Sequence, residues 1–169
     1  MKKVVSNSGF TLIELLVVIA IIGVLSSVVL ASLSSSRSKA RDARRKEDMI
    51  HLRTAIEAYF ADHGSYPVSA GGYYVGYGNT TCGTPQGTLS GASGYVPNLA
   101  PQYIAVLPVD PGGSTANCTG YQYDSDGKGY AILNHAVPES YPTSGQQFYD
   151  PLRPTWAWKL CNTPISCTW

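Results

Sequence analysis

Proline is absent before residue 67 of this 169-residue chain, and Gly9 and Gly23 are the only glycines before Gly64. With both strong helix breakers so scarce, no proline kink is expected, and the weakest point of a long N-terminal helix lies around Gly23, Ser26 and Ser27. Charge is also sparse, at 14% of residues with a net of +1, and it is unevenly placed. Seven of the 12 Lys/Arg and five of the 11 Asp/Glu fall within residues 37–62, and few follow. The chain has no GxSxG, HExxH, Walker A or dinucleotide fingerprint, so it gives no sign of those enzyme classes. The four cysteines form no Cys-x-x-Cys pair, and His51, His63 and His135 are scattered, which argues against a zinc knuckle; no cofactor is implied. The length suits one compact domain with an appendage.

The charge-poor stretch is itself informative. Residues 10–33 read FTLIELLVVIAIIGVLSSVVLASL, with Glu14 as the one charged member. As a helix, 24 residues at about 1.5 Å each span about 36 Å, enough to cross a hydrocarbon core of about 30 Å with some tilt. An ordinary secretory signal, with Lys2 and Lys3 as its basic region and cleavage after Ala31, is the competing reading. The run exceeds the usual length of such a signal, begins directly after a Gly-Phe step and carries a carboxylate, which is costly in a bilayer. The anchored reading is therefore preferred.

GFTLIELLVVIAIIGVL, preceded by the short basic leader MKKVVSNS, resembles the N-terminal signature of type IV pilins and type II secretion pseudopilins. That resemblance implies cleavage between Gly9 and Phe10 by a prepilin peptidase, N-methylation of Phe10, and polymerisation through the helix. It also implies an assembly salt bridge between Glu14 and the amine of a neighbouring subunit. Glu14 lies one helical turn from that amine, and a buried ion pair of this kind sets register more than it adds net stability. The basic residues 37–46 outnumber the leader lysines, so the positive-inside rule alone would reverse the orientation. The cysteines and the family orientation place the C-terminal part outside the cytoplasmic membrane, with the N-terminus inside.

From residue 34 to 63 the helix continues. Met49, Leu52, Ile56, Tyr59 and Phe60 recur at three- and four-residue spacing and form an apolar stripe for docking on a folded head. Residues 34–46 read as polar all round. Their Arg cluster is either a solvated face or a binding surface for anionic lipid, DNA or an acidic neighbour. Residues 64–169 change to short apolar pieces punctuated by Gly and Pro, a small β-rich head. Tyr121 and Tyr123 on one side of Asp-Ser-Asp-Gly-Lys, and residues 129–133 on the other, predict a hairpin. Residues 155–160 predict a third strand with Trp156 and Trp158 on one face, and residues 68–99 predict a long connection. The expected fold is α+β: a long N-terminal helix packed on a small antiparallel sheet, divided as leader 1–9, membrane and polymerisation helix 10–33, amphipathic continuation 34–63 and head 64–169.

Four cysteines outside the membrane favour disulfides, with three pairings possible. Loop-closure entropy favours Cys161 with Cys167 and Cys82 with Cys118. The run around Leu107-Pro-Val-Asp110-Pro111 resembles the stretch after the helix in major pseudopilins. Their calcium-binding C-terminal segment is not recognisable in residues 134–169. Asp124, Asp126 and Gly127 resemble the start of a calcium loop, but the downstream bidentate Glu is missing, which favours a plain turn. The expected function is a structural subunit of a type IV pilus-like filament at the cell surface, with a type II secretion pseudopilin as the alternative. A second alternative is a secreted domain that binds carbohydrate through Trp156 and Trp158. The expected partners are further copies or other pilins, the prepilin peptidase and methyltransferase, an inner-membrane assembly platform, and the bilayer before assembly.

Overall fold

The structure, a computed structural model, describes residues 10–69, 74–77, 86–112, 119–164 and 166–168. Its elements are α1 (Leu12–His63), β1 (Val75–Tyr77), β2 (Gln86–Gly87), β3 (Gly120–Ser125), β4 (Tyr130–His135) and β5 (Ala157–Cys161), closed by a 3-10 turn, Ser166–Thr168. The chain is α+β and divides into two compact units at residues 38 and 39.

In the first unit α1 runs unbroken through Gly23, Ser26 and Ser27, and Ser27 Oγ donates to the Val24 carbonyl at 2.7 Å. Bulky apolar side chains cover it: Leu12, Ile13, Leu16, Ile19, Ile22 and Leu25 are all exposed. An exposed aliphatic surface of this length is untenable in water, and the segment is long and apolar enough to span a membrane.

The second unit is built around the C-terminal part of α1, whose Met49, Leu52, Ala55 and Ile56 are buried. They pack with Tyr95, Val96, Leu99 and Leu107 from the loops and with Tyr121, Tyr123, Tyr130, Ile132, Trp158 and Leu160 from the sheet. Gly64, at φ 69°, ends the helix with its N–H on the Phe60 carbonyl at 2.8 Å, a left-handed cap that a Cβ would strain.

The strand order is β2-β1-β3-β4-β5. The β3–β4 hairpin pairs Gly120 with His135 through Ser125 with Tyr130. Three departures from the sequence expectations stand out. The stretch 68–99 is not a plain connection, because it holds β1 and β2, and these two pair in parallel while the other pairings are antiparallel. At Gly87 the loop backbone closes in on the other side: a Cβ there would come within 2.5 Å of the Tyr95 Cα. Trp156 and Trp158 do not share a face, since Trp156 precedes β5 and is 44% exposed while Trp158 is fully buried.

The third departure concerns α1. Residues 34–46 are polar but not solvated all round, because Asp42 and Arg45 are buried against the head. They sit seven and four residues ahead of Met49 in the same helical series, so the docking stripe begins earlier than its apolar members suggest.

Candidate functional site

Glu14 stands at the start of α1 in a reciprocal cap. Its Oε2 accepts from the Thr11 N–H at 2.9 Å and the Thr11 hydroxyl at 2.7 Å, while its own N–H donates to Thr11 Oγ1 at 3.3 Å. This is a capping box written as Thr-x-x-Glu, and it satisfies backbone donors that the first helical turn leaves open. Glu14 Oε1 has no hydrogen-bond partner among the described residues, so one oxygen of an acid in an apolar segment remains available. Phe10, just ahead of the helix, is 86% exposed, and Gly9 lies outside the described residues.

The second notable cluster lies where α1 meets the head. Arg45, 1% exposed, donates Nε and Nη2 to the two oxygens of Asp110 at 2.8 and 3.0 Å, and Nη1 to Asp42 at 2.9 Å. Asp110 also accepts from the Gly112 N–H at 2.7 Å and from Asn134 Nδ2 at 3.1 Å. Burial pushes the Asp110 carboxyl up, but the bonds from Arg45, Gly112 and Asn134 outweigh it and hold the group below the usual carboxylate range. Burial likewise opposes the Arg45 charge, and its two carboxylate partners more than restore it.

Asp42 extends this hub to the loop after β4, accepting from the Glu139 N–H at 2.9 Å and the Ser140 hydroxyl at 2.7 Å. Arg41 pairs with Glu139. The Arg cluster is therefore split. Arg41 and Arg45 fasten α1 to the head, while Arg44 remains largely exposed with only a long approach, 4.0 Å, to Asp48. Asp48 is pushed up by burial, against the Tyr121 hydroxyl that donates to it at 2.8 Å.

The hub was not anticipated from sequence. The usable signal was the three- and four-residue series running from Asp42 through Arg45, Met49, Leu52 and Ile56. Its partner, Asp110, falls in the Leu-Pro-Val-Asp-Pro run noted for resemblance alone.

Cys161 and Cys167 are bonded, with Cα atoms 5.3 Å apart. Cys82 and Cys118 lie outside the described residues. Asp126 Oδ1 accepts from the Lys128 and Gly129 N–H groups, each at 2.8 Å, and Asp124 accepts from the Ser69 hydroxyl at 2.6 Å. Both carboxylates thus serve the hairpin turn and its neighbour.

A membrane-length apolar helix opening on a capped carboxylate, and continuing into the core helix of a disulfide-closed α+β head, defines a pilin-like protein. The family described as the prokaryotic N-terminal methylation motif matches residues 5–30. The type II secretion system core protein G of Vibrio cholerae is 32% identical over 127 residues, 75% of this chain and 77% of that protein. Its namesake in Klebsiella pneumoniae is 32% identical over 80% of this chain and 88% of its own length, and that of Dickeya chrysanthemi is 34% identical over 71% and 69%. No solved structure matches. The chain belongs to the family of type II secretion system core protein G, the pseudopilins. This favours the alternative drawn from the sequence over the type IV pilus subunit placed first there.

Proposed function

We propose that this chain is a structural subunit of a type II secretion pseudopilus. The observation that carries this is the similarity to core protein G over three quarters of the chain, which covers more than the shared N-terminal motif. The precursor is anchored in the cytoplasmic membrane by residues 10–33. Prepilin peptidase cuts between Gly9 and Phe10, and Phe10 is N-methylated. The helices then leave the bilayer and pack side by side with further copies or with other pilin-like subunits, while the heads face outward.

Glu14 has a physical role in this scheme. While a subunit waits in the membrane, the Thr11 cap lowers the cost of its carboxylate. In the filament, Oε1 meets the amine of a neighbouring Phe10. A subunit out of axial register leaves that acid unpaired in an apolar setting, which penalises the wrong arrangement. The chain works by assembly and not by catalysis.

The mature N-terminus, measured by mass spectrometry from the native host, tests the processing. The expected terminus is methylated Phe10, and a terminus at Ser32 would withdraw the anchored helix and everything built on it. Deleting the chain tests the machine. Retention of normally secreted enzymes inside the cell is the expected outcome, whereas intact secretion with lost surface pili would restore the type IV pilus reading.

A further inference from the structure

Beside the hub lies a cleft of about 430 Å³, between Lys46 on α1 and the loop after β4. That volume falls in the range of small-ligand sites. Phe148 and Trp158 lie beneath it, almost wholly covered, so its accessible apolar surface comes from half-buried Tyr141 and Pro142. Gln146 and Gln147 provide amides along the rim. Gln146 Oε1 is taken by the Thr143 N–H at 2.8 Å, which leaves its NH₂ group as the donor on offer.

The cleft is held open by bonds independent of any ligand. Trp158 Nε1 donates to the Ser140 carbonyl at 2.7 Å, and the Ser140 hydroxyl donates to Asp42. Asp42 is locked in turn by Arg45. The walls are therefore preorganised, which lowers the cost of binding.

The cation in this cleft lacks an acid. Lys46 Nζ lies 5.2 Å from the centroid of the Trp158 ring and forms no ion pair among the described residues. Its neighbour Arg45 is fully engaged by Asp42 and Asp110. The site thus offers one unpaired positive charge, amide donors and an aromatic surface. One ammonium suits a monoanion better than a phosphate, which calls for two or more cations or a bidentate guanidinium.

We infer that this cleft binds a carboxylate carried on an aromatic or branched apolar body, with Lys46 pairing the carboxylate and Tyr141 and Pro142 taking the apolar part. Such a group is available as a free small acid or as the end of a polypeptide with an apolar last residue. The inference does not depend on the pseudopilus assignment, because every residue it uses belongs to the head and its docked helix.

Calorimetry on the whole chain in detergent micelles tests it with three probes: N-acetyl-tryptophan, its uncharged amide, and an N-acetylated Ala-Ala-Trp tripeptide with a free carboxylate. Saturable one-to-one binding of an acid probe is expected, with the amide about tenfold weaker, as loss of one charge-assisted contact implies. Lys46→Met should weaken the acid by about the same factor, while Lys46→Arg and the distant Lys128→Met should preserve it. Tighter binding of the tripeptide than of the amino acid would identify a polypeptide end as the source, and equal binding a free acid. Absence of saturable binding by both acids, or an unchanged affinity in Lys46→Met, would overturn the inference.

Discussion

Arg45 and Asp110 form an ion pair in which both side chains are buried and each is the other's main charge partner. Removing one partner strands the second charge, so Arg45→Met should lower stability by about 3–5 kcal/mol in urea denaturation of the detergent-solubilised chain. The pH dependence follows from direction. The native carboxyl of Asp110 titrates below its ordinary value of 3.8, so its contribution is present above that value and is lost as pH falls through the depressed native one. Asp48 has the opposite sign: its native carboxyl titrates above 3.8, so its contribution is present below the ordinary value and is lost as pH rises through the raised native one. Asp48→Asn should therefore steepen the loss of stability on acidification, and Asp110→Asn should flatten it from a lower starting point. Denaturation midpoints collected from neutral pH down to about pH 3 would reveal both slopes. Gly87→Ala belongs at this scale too, since its Cβ would strike the Tyr95 backbone and not a yielding side chain.

Among the elements, the start of α1 and the end of β5 are each closed by a local device. Thr11→Val removes the hydroxyl of the capping box and should cost the first turn about 1 kcal/mol, visible as faster amide exchange at the first helical residues. Opening the Cys161–Cys167 loop with a Cys167→Ser change should cost about 2 kcal/mol, read from the thermal midpoint under oxidising conditions. Both devices join residues close in sequence, and the bonded pair was accordingly among those that spacing favoured. The β3–β4 hairpin was legible for the same reason, because turn residues and flanking tyrosines announce it locally. The strands β1 and β2 were not. Three and two residues long, they carry no alternation of their own and exist as strands through pairing with β3 and with each other. Trp156 and Trp158 show the related limit of period-two reasoning, which holds only inside a strand whose first residue is known.

Across the whole molecule, the part that anchors and the part that folds draw on different residues. Among the described residues no apolar member of the head's core precedes Met49, and no acid precedes Asp42 except Glu14. Glu14→Ala should accordingly abolish incorporation into filaments while leaving the thermal midpoint of the head unchanged; a lowered midpoint would mean that the variant fails through folding and not through assembly. The apolar helix, its single carboxylate and the glycine-phenylalanine step were all decided by the sequence alone, because membrane length and the cost of charge in lipid are properties of a segment and need no tertiary partner. Only the tertiary structure decided what the basic stretch after that helix does. Whether Arg45 is solvated or buried depends on Asp110, 65 positions away, and on a loop fastened by Asp42; no pattern within the helix distinguishes a salt-bridged arginine from a hydrated one until the fold brings its acid within 3 Å.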